Sequence, residues 1–173
     1  MKTMTTSNIY SPVAAMILMA ALAIPAAAQN QVPSLAPPFQ GTFQGSDTVS
    51  GEKAGCPTTV CTTGTGTGTL LGQFSFTEEL TINFADFTDT GSAHWTAANG
   101  DRIDTAVFGF AVPGPDIFLI AEIHIVTGGT GRFAGAQGSF CVFRKHFVAF
   151  SPDATHVTFG SFQGSITSPG ATN

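Results

Sequence analysis

The chain has 173 residues, a formal net charge of −5 at pH 7 and only 10% charged residues. An acidic balance with six Lys and Arg residues in all argues against nucleic acids and anionic membrane surfaces as partners, because both carry dense negative charge. The length suits one domain that buries its own core without metals or several disulfides.

The first 28 residues are expected to be an export signal. An unbroken apolar run at residues 13–24 is followed by a proline and by three alanines at residues 26–28, which supply a cleavage site after Ala28. The alternative is a membrane anchor, but that needs about 20 apolar residues, and the run has twelve. We therefore predict a secreted or periplasmic mature protein with no membrane span after cleavage. Residues 29–38, which contain three prolines, are predicted to be a flexible leader.

Strand patterns fill the rest of the chain. No stretch sustains apolar residues at the helical period with caps, whereas alternating runs rich in Phe, Ile, Val and Thr recur. Eight strands are predicted, at residues 39–50, 66–77, 80–87, 92–98, 102–112, 117–127, 138–150 and 155–167. Asn99-Gly100 suits a two-residue type I′ turn, and prolines mark turns at residues 113–116 and 151–153.

The short connections favour an antiparallel meander, because parallel crossovers need a dozen or more residues. Residues 39–45 and 162–165 are alike in sequence, which indicates that the first and last strands pair. We therefore predict an all-β fold, with one closed eight-stranded antiparallel barrel at residues 39–168 and a short tail at residues 169–173. The Gly/Thr alternation at residues 62–69 is predicted to be a flexible loop that leads into the second strand.

The three cysteines are expected to have two different roles. Cys56 and Cys61 enclose four residues, and an exported protein allows them to form a disulfide. A zinc site is the competing interpretation, but no histidine lies near this pair in sequence. Cys141 is left over inside a predicted strand, where it is expected to be a small buried apolar residue.

Residues 128–138 read Gly-Gly-Thr-Gly-Arg-Phe-Ala-Gly-Ala-Gln-Gly. This stretch closely resembles a signature of the allene oxide cyclase and dirigent superfamily, and residues 95–101 support the resemblance. The resemblance implies an allene oxide cyclase-like β-barrel, and it points to small exported bacterial members of unassigned activity. Allene oxide cyclases isomerise an unstable fatty-acid epoxide, dirigent proteins direct the coupling of phenoxy radicals, and both form trimers. A homotrimer is therefore a possible assembly, but the match covers no catalytic residue of either family.

Four polar residues on two adjacent predicted strands are the candidate catalytic groups. Alternation places Glu122 and His124 on one face, and Arg144 and His146 on one face of the next strand. If these faces line the lumen, the four side chains meet in an apolar cavity that shifts their pKa values towards proton transfer. In the opposite register they face solvent, and the core is formed by Leu119, Ala121, Ile123 and Ile125. The sequence favours this second arrangement.

Trp95, Arg132 and Phe133 are the candidate ligand-binding residues. Arg132 would meet an anionic head group at the barrel mouth. The favoured alternative is structural, with Phe133 plugging a barrel end, Arg132 bonding turn carbonyls and Trp95 in the core, on the face opposite His94. A histidine metal site would need His94, His124, His146 and His156 to converge, which the sequence does not indicate, so we predict no metal and no other cofactor.

Three functions remain open. The sixteen phenylalanines and the strand number favour non-catalytic binding of a small apolar molecule in the lumen. The alternatives are a structural or surface-interaction barrel with a packed lumen, and an allene oxide cyclase-like isomerase with Glu122 as its acid or base. A lumen filled with Phe side chains would favour the structural alternative.

Overall fold

Eight antiparallel strands form a closed barrel in the computed structural model, which describes residues 37–49, 56–147 and 156–169. The strands are β1 (Pro38–Val49), β2 (Val60–Gly68), β3 (Gly72–Asn83), β4 (Thr88–Ala97), β5 (Arg102–Pro113), β6 (Ile117–Gly129), β7 (Gly138–Phe147) and β8 (His156–Ile166). Each strand pairs with the next, and β1 pairs with β8 to close the sheet. The predicted all-β barrel is confirmed, including the pairing of the two similar segments.

Several predictions concern residues that lie outside the described ranges. These are the export signal at residues 1–28, nearly all of the leader at residues 29–38, the turn at residues 151–153 and most of the tail at residues 169–173. Within the described ranges, no helix has the length and apolar character required to cross a bilayer.

The lumen explains why glycines alternate with phenylalanines along the strands. In β1, the inward positions are occupied in turn by Phe39, a glycine, Phe43, a second glycine and Asp47. A Cβ added at Gly160 in β8 would lie 2.3 Å from the ring of Phe43. The large rings therefore occupy the space that side chains on neighbouring strands would need.

The second and third strands differ from the prediction. The Gly/Thr alternation is not a loop, because residues 60–68 form β2 and pair with both β1 and β3. The predicted strand at residues 66–77 instead spans a tight turn, where Leu70 and Gly72 adopt positive φ angles of 63° and 67°. The predicted strand at residues 80–87 ends early, at Asn83, and residues 84–87 form the next turn. β3 runs without a break from Gly72 through residues 78–79, where the sequence suggested a gap.

The turn at Asn99-Gly100 is also longer than predicted. β4 ends at Ala97, and Ala97 and Asp101 are joined by a hydrogen bond of 2.9 Å. Within this turn only Gly100 has a positive φ, 89°. The loop is therefore a three-residue turn with glycine in the left-handed position rather than a type I′ turn. The predicted turn between β5 and β6 is confirmed, with Gly114 N–H donating to the Ile117 carbonyl at 2.7 Å.

One end of the barrel is closed by aromatic side chains and by the glycine-rich stretch. The buried rings in this half of the lumen belong to Phe39, Phe43, Phe74, Phe76, Trp95, Phe140 and Phe162. Trp95 stacks on Phe76 with ring centroids 5.2 Å apart. The β6–β7 connection forms a one-turn 3-10 helix, Gly131–Phe133, whose Phe133 is fully buried.

The predicted disulfide is confirmed, but the predicted burial of the third cysteine is wrong. Cys56 and Cys61 form a disulfide with Cα atoms 5.6 Å apart, at the start of β2. Cys141 is free and exposed. The expectation of a buried Cys141 is wrong because its neighbours in β7, Phe140 and Val142, point into the lumen and alternation turns Cys141 outward.

Candidate functional site

A layer of buried polar side chains crosses the lumen above the aromatic half. Its members come from six strands that meet only in the closed barrel: Asp47, Thr62, Glu78, Asp89, Glu122, His124, Arg144 and His146. Fully buried ionic groups are rare unless they are paired. This layer is therefore the most chemically unusual part of the described chain.

Arg144 is the centre of the layer. Its Nη2 lies 2.7 Å from Oε1 of Glu122 and 3.1 Å from Oε2 of Glu78. Its Nη1 lies 3.4 Å from Oδ1 of Asp47 and donates to the Thr62 hydroxyl at 3.3 Å. One guanidinium thus holds carboxylates from three different strands.

The three carboxyl groups respond differently to their surroundings. Burial acts to raise the pKa of Glu122, but the charge of Arg144 and the interaction with His124 together hold that pKa below the ordinary value. Burial raises the pKa of Glu78 well above its ordinary value, and the neighbouring Glu122 adds to the rise. Burial also acts to raise the pKa of Asp47, yet its hydrogen bond with His146 and the charge of Arg144 lower it. Glu122 and Asp47 are therefore ionised at neutral pH, whereas Glu78 resists ionisation.

Asp47 and His146 form a second pair in this layer. Nδ1 of His146 is hydrogen-bonded to Oδ2 of Asp47, and the Thr62 hydroxyl donates to Oδ1 of Asp47 at 2.5 Å. The carboxylate therefore fixes the orientation of the imidazole. The ring of His146 also stacks on His156, with centroids 5.2 Å apart.

His124 lies on the side of the polar layer that faces the aromatic half. Its ring stacks on Phe140 at 4.9 Å and meets the edge of Trp95 at 5.5 Å. Nδ1 is 3.1 Å from the Thr105 hydroxyl. Burial lowers the pKa of His124, so its imidazole is neutral at pH 7.

A cavity of about 120 Å³ opens above the polar layer, towards the end of the barrel opposite the glycine-rich stretch. Its walls are largely apolar and include Val49, Val60, Leu80, Ile82, Phe84, Phe87, Ala111, Phe118 and Ile120. Three polar side chains line its inner part: Asp89, Arg144 and His146. Burial raises the pKa of Asp89 to about 6, and the nearby charge of Glu122 adds to the rise.

The structure brings the four candidate catalytic residues together. Glu122, His124, Arg144 and His146 are all buried in the lumen. The favoured expectation, that they face solvent, is wrong; Leu119, Ile123 and Ile125 are the exposed side chains instead. The large phenylalanine rings of β1, β3, β7 and β8 settle this register, because they share a face with the polar residues. Arg144 and His146 line the cavity, whereas Glu122 and His124 lie behind it.

The three candidate ligand-binding residues lie away from that cavity. Trp95 and Phe133 are fully buried in the aromatic half. Nε of Arg132 lies 3.7 Å from Oδ2 of Asp101 in the β4–β5 turn, and its guanidinium covers the Phe133 ring at 4.9 Å. These contacts match the structural alternative, although Arg132 pairs with a side chain rather than with turn carbonyls. His94 pairs with Asp104 at the surface, so the four histidines do not converge.

Sequence reasoning missed Asp47, Glu78 and Asp89. Each shares the alternation phase of a large aromatic residue on its own strand: Asp47 that of Phe43, Glu78 that of Phe76, and Asp89 that of Trp95. Continuing the same in-and-out alternation along each strand would have predicted that all three carboxyl groups point into the lumen. The predicted break at residues 78–79 concealed the signal in β3.

No protein-family model matches the sequence, and the comparison with curated proteins finds no match either. Among solved structures, the chain is similar to the pterocarpan synthase dirigent protein GePTS1. The TM-score is 0.38 with 12% sequence identity, over 75% of this chain and 92% of that chain. A similarity at this level assigns no activity. The assignment of a closed barrel comes from the strand pairing of this chain itself.

Proposed function

We propose that the barrel binds a small, largely apolar molecule in the mouth cavity. The observation that carries this proposal is a cavity of about 120 Å³ with apolar walls and three convergent polar groups. An apolar cavity of about 150 Å³ accommodates benzene in another protein, so the volume here suits one aromatic ring or a branched chain of similar size. Apolar walls with a few placed polar groups are typical of ligand sites.

The polar groups define where a ligand would be anchored. Asp89, Arg144 and His146 line the inner part of the cavity, so a hydroxyl or carbonyl carried by the ligand would meet them. The aromatic half of the lumen is filled by side chains. This packing agrees with a structural barrel that has a packed lumen, but only for the closed half. The half at the mouth contains the cavity.

Native mass spectrometry of protein purified from its own host tests the proposal directly. A bound ligand is expected to appear as an added mass that disappears on denaturation. Calorimetry with phenol as the probe then locates binding. Ala111→Leu fills the cavity wall and is expected to abolish phenol binding, whereas Ala106→Leu, on the outer face of the same strand, leaves it unchanged. Equal binding by both variants would place the ligand elsewhere.

Acid–base catalysis is the second candidate, and a specific observation favours it. Asp89, with its pKa raised to about 6 by burial, and His146, oriented by Asp47, line one cavity. A carboxyl whose pKa lies close to neutral pH and an oriented imidazole suit an isomerase that moves a proton. Once a ligand is identified, deuterium incorporation from D₂O is expected with the wild type and not with Asp89→Asn. Incorporation that persists in this variant would leave binding as the function.

Self-association through an outer face of the barrel is also proposed. Nine large apolar side chains on β5 to β8 are roughly half exposed: Phe108, Phe110, Val112, Leu119, Ile123, Ile125, Phe143, Phe147 and Phe159. Together they present on the order of 800 Å², which matches the roughly 800 Å² per partner of a stable interface. A second copy of this chain is the occupant that this area suits.

An exported location is supported by two independent features. The N-terminal pattern of an apolar run followed by small residues is typical of a cleaved signal. The Cys56–Cys61 disulfide fits an oxidising compartment outside the cytosol. Mass spectrometry of the secreted or periplasmic fraction is expected to find a chain that begins at Gln29, and an intact Met1 would contradict cleavage.

A further inference from the structure

Three acceptor atoms face one another deep in the lumen. Nε2 of His124 lies 3.5 Å from Oε1 of Glu78 and 3.8 Å from Oε2 of Glu122. All three side chains are at most 4% exposed, and one ligand atom from each lies within 4.8 Å of the other two. Neither Nε2 of His124 nor Oε2 of Glu122 has a hydrogen-bond partner among the described residues.

The hydrogen bonds around His124 determine which ring nitrogen carries its proton. The Thr105 hydroxyl donates to the Ala93 carbonyl at 3.3 Å, so towards His124 it acts as an acceptor. Nδ1 of His124, 3.1 Å away, therefore carries the proton, and Nε2 presents a lone pair to the two carboxyl groups. A hydrogen-bond acceptor on the far nitrogen fixes the tautomer and the ring orientation of a metal-binding histidine, and the Thr105 hydroxyl is such an acceptor here.

Arg144 orients both carboxyl groups around this point. Its Nη2 contacts Oε1 of Glu122 and Oε2 of Glu78. The other oxygen of each carboxyl group is directed at His124. Counting Asp47, three carboxyl groups surround one guanidinium, so Arg144 alone does not balance their charges when all three are ionised. A buried excess of negative charge is strongly unfavourable, so a further cation or a proton belongs among the three acceptors.

We propose that Glu78, Glu122 and His124 bind one divalent transition-metal ion of the Zn²⁺ class. Two carboxylates and one imidazole suit Zn²⁺, and bonds of about 2.0–2.2 Å around a tetrahedral ion separate its ligand atoms by about 3.3–3.6 Å. The separations of 3.5 and 3.8 Å from His124 need little adjustment to reach this geometry. Three protein ligands leave a fourth position for water.

The site is distinct from the ligand cavity and does not depend on the proposed function. None of its three residues lines the cavity, and Arg144 separates the two. Because the ligands are buried, the ion is expected to enter while the barrel is open, during folding. The competing occupant is a proton shared between Glu78 and His124, and only a binding experiment distinguishes the two.

The purified protein is unfolded in guanidinium chloride with its disulfide intact and refolded with Zn²⁺ or with a chelator. After gel filtration, elemental analysis is expected to find one Zn²⁺ per chain, and the Zn²⁺-refolded protein is expected to melt about 10 °C higher. His124→Gln is expected to lose the ion. His94→Gln is the matched control, because His94 is half exposed and pairs with Asp104 at the surface, and it is expected to keep the ion.

Two results would overturn the proposal. If wild-type protein refolds without bound Zn²⁺, the position is occupied by a proton. If His124→Gln retains Zn²⁺ in full, the ion binds at the surface instead. If His124→Gln does not fold, refolding the wild type with Co²⁺ decides the question. Intense visible bands of four-coordinate Co²⁺, with one imidazole ligand by X-ray absorption, would support the site, and their absence would refute it.

Discussion

Arg144 is the residue on which the buried charges depend. Its guanidinium contacts Asp47, Glu78 and Glu122 within 3.4 Å. Arg144→Met removes the charge but keeps much of the side-chain volume, and it leaves Glu78 and Glu122 without the cation that they share. Breaking a buried pair in this way costs about 3–5 kcal/mol, and urea denaturation is expected to show a loss of this size.

The control for Arg144→Met is the neighbouring residue. Lys145 is exposed on the outer face of β7, so Lys145→Met is expected to change the free energy of unfolding by less than about 0.5 kcal/mol. Similar losses in both variants would mean that the strand, rather than the buried pairing, is sensitive to substitution.

Asp89 makes the stability of the fold depend on pH. Its pKa is raised from 3.8 to about 6 in the folded chain, first by burial and then by the charge of Glu122. Between these values the folded state holds more protons than the unfolded state, so stability falls as pH rises from about 4 through 6. Asp89→Asn removes this contribution and is expected to stabilise the protein at pH 8 by about 1–2 kcal/mol relative to wild type.

Denaturation curves measured from pH 4 to pH 8 test the role of Asp89. The slope of stability against pH is expected to be shallower in Asp89→Asn than in the wild type. Asp116→Asn, in the exposed β5–β6 turn, is expected to keep the wild-type slope. A wild-type slope in Asp89→Asn would show that Asp89 is not the group responsible.

At the scale of elements, β2 fits into the barrel because glycines occupy its inward positions beside the aromatic half, at residues 64, 66 and 68. A Cβ added at Gly66 would lie 2.3 Å from the Thr42 carbonyl oxygen and 2.5 Å from the Phe74 ring. Gly66→Ala therefore overpacks the aromatic half, and such changes cost about 1–3 kcal/mol. Thr65→Ala, on the exposed face of the same strand, is expected to cost less than about 1 kcal/mol. Thermal denaturation compares the two variants, and equal losses would contradict the packing argument.

The third strand shows how one misplaced boundary obscures a site. Two acidic residues in succession, Glu78 and Glu79, suggest a turn when read locally. In the barrel, Glu79 faces solvent and Glu78 faces Arg144, 3.1 Å away. The compensating charge is 66 residues away along the chain, so local sequence offers no reason to continue the strand.

At the scale of the whole molecule, the outer apolar face of β5 to β8 is expected to hold two or more copies together. Phe110 and Phe143 are each about half exposed, and Ala121, which pairs with both, lies between them. The double change Phe110→Ser with Phe143→Ser is expected to convert the oligomer to a monomer in native mass spectrometry and light scattering. Thr65→Ser with Thr77→Ser, on the outer face of β2 and β3, should leave the assembly unchanged. A monomeric wild type would refute this proposal.

Sequence alone was sufficient for the all-β class, the number of strands, the closure of the barrel and the Cys56–Cys61 pairing. These features depend on short-range signals: alternation with period two, turn residues, and cysteines five positions apart. The glycine-rich stretch contributed in the same way, because its composition dictates a sharp connection between two strands.

Which face of each strand lines the lumen was decided by the tertiary structure. The outer side chains Ile123 and Phe143 are as apolar as many core residues, whereas Glu122 and Arg144 are buried. Local hydrophobicity therefore favours the wrong register for β6 and β7. Burial of the charged face becomes favourable only when the closed barrel brings charges from β1, β3, β6 and β7 within hydrogen-bonding distance. That compensation depends on long-range pairing, which no segment of the sequence contains by itself.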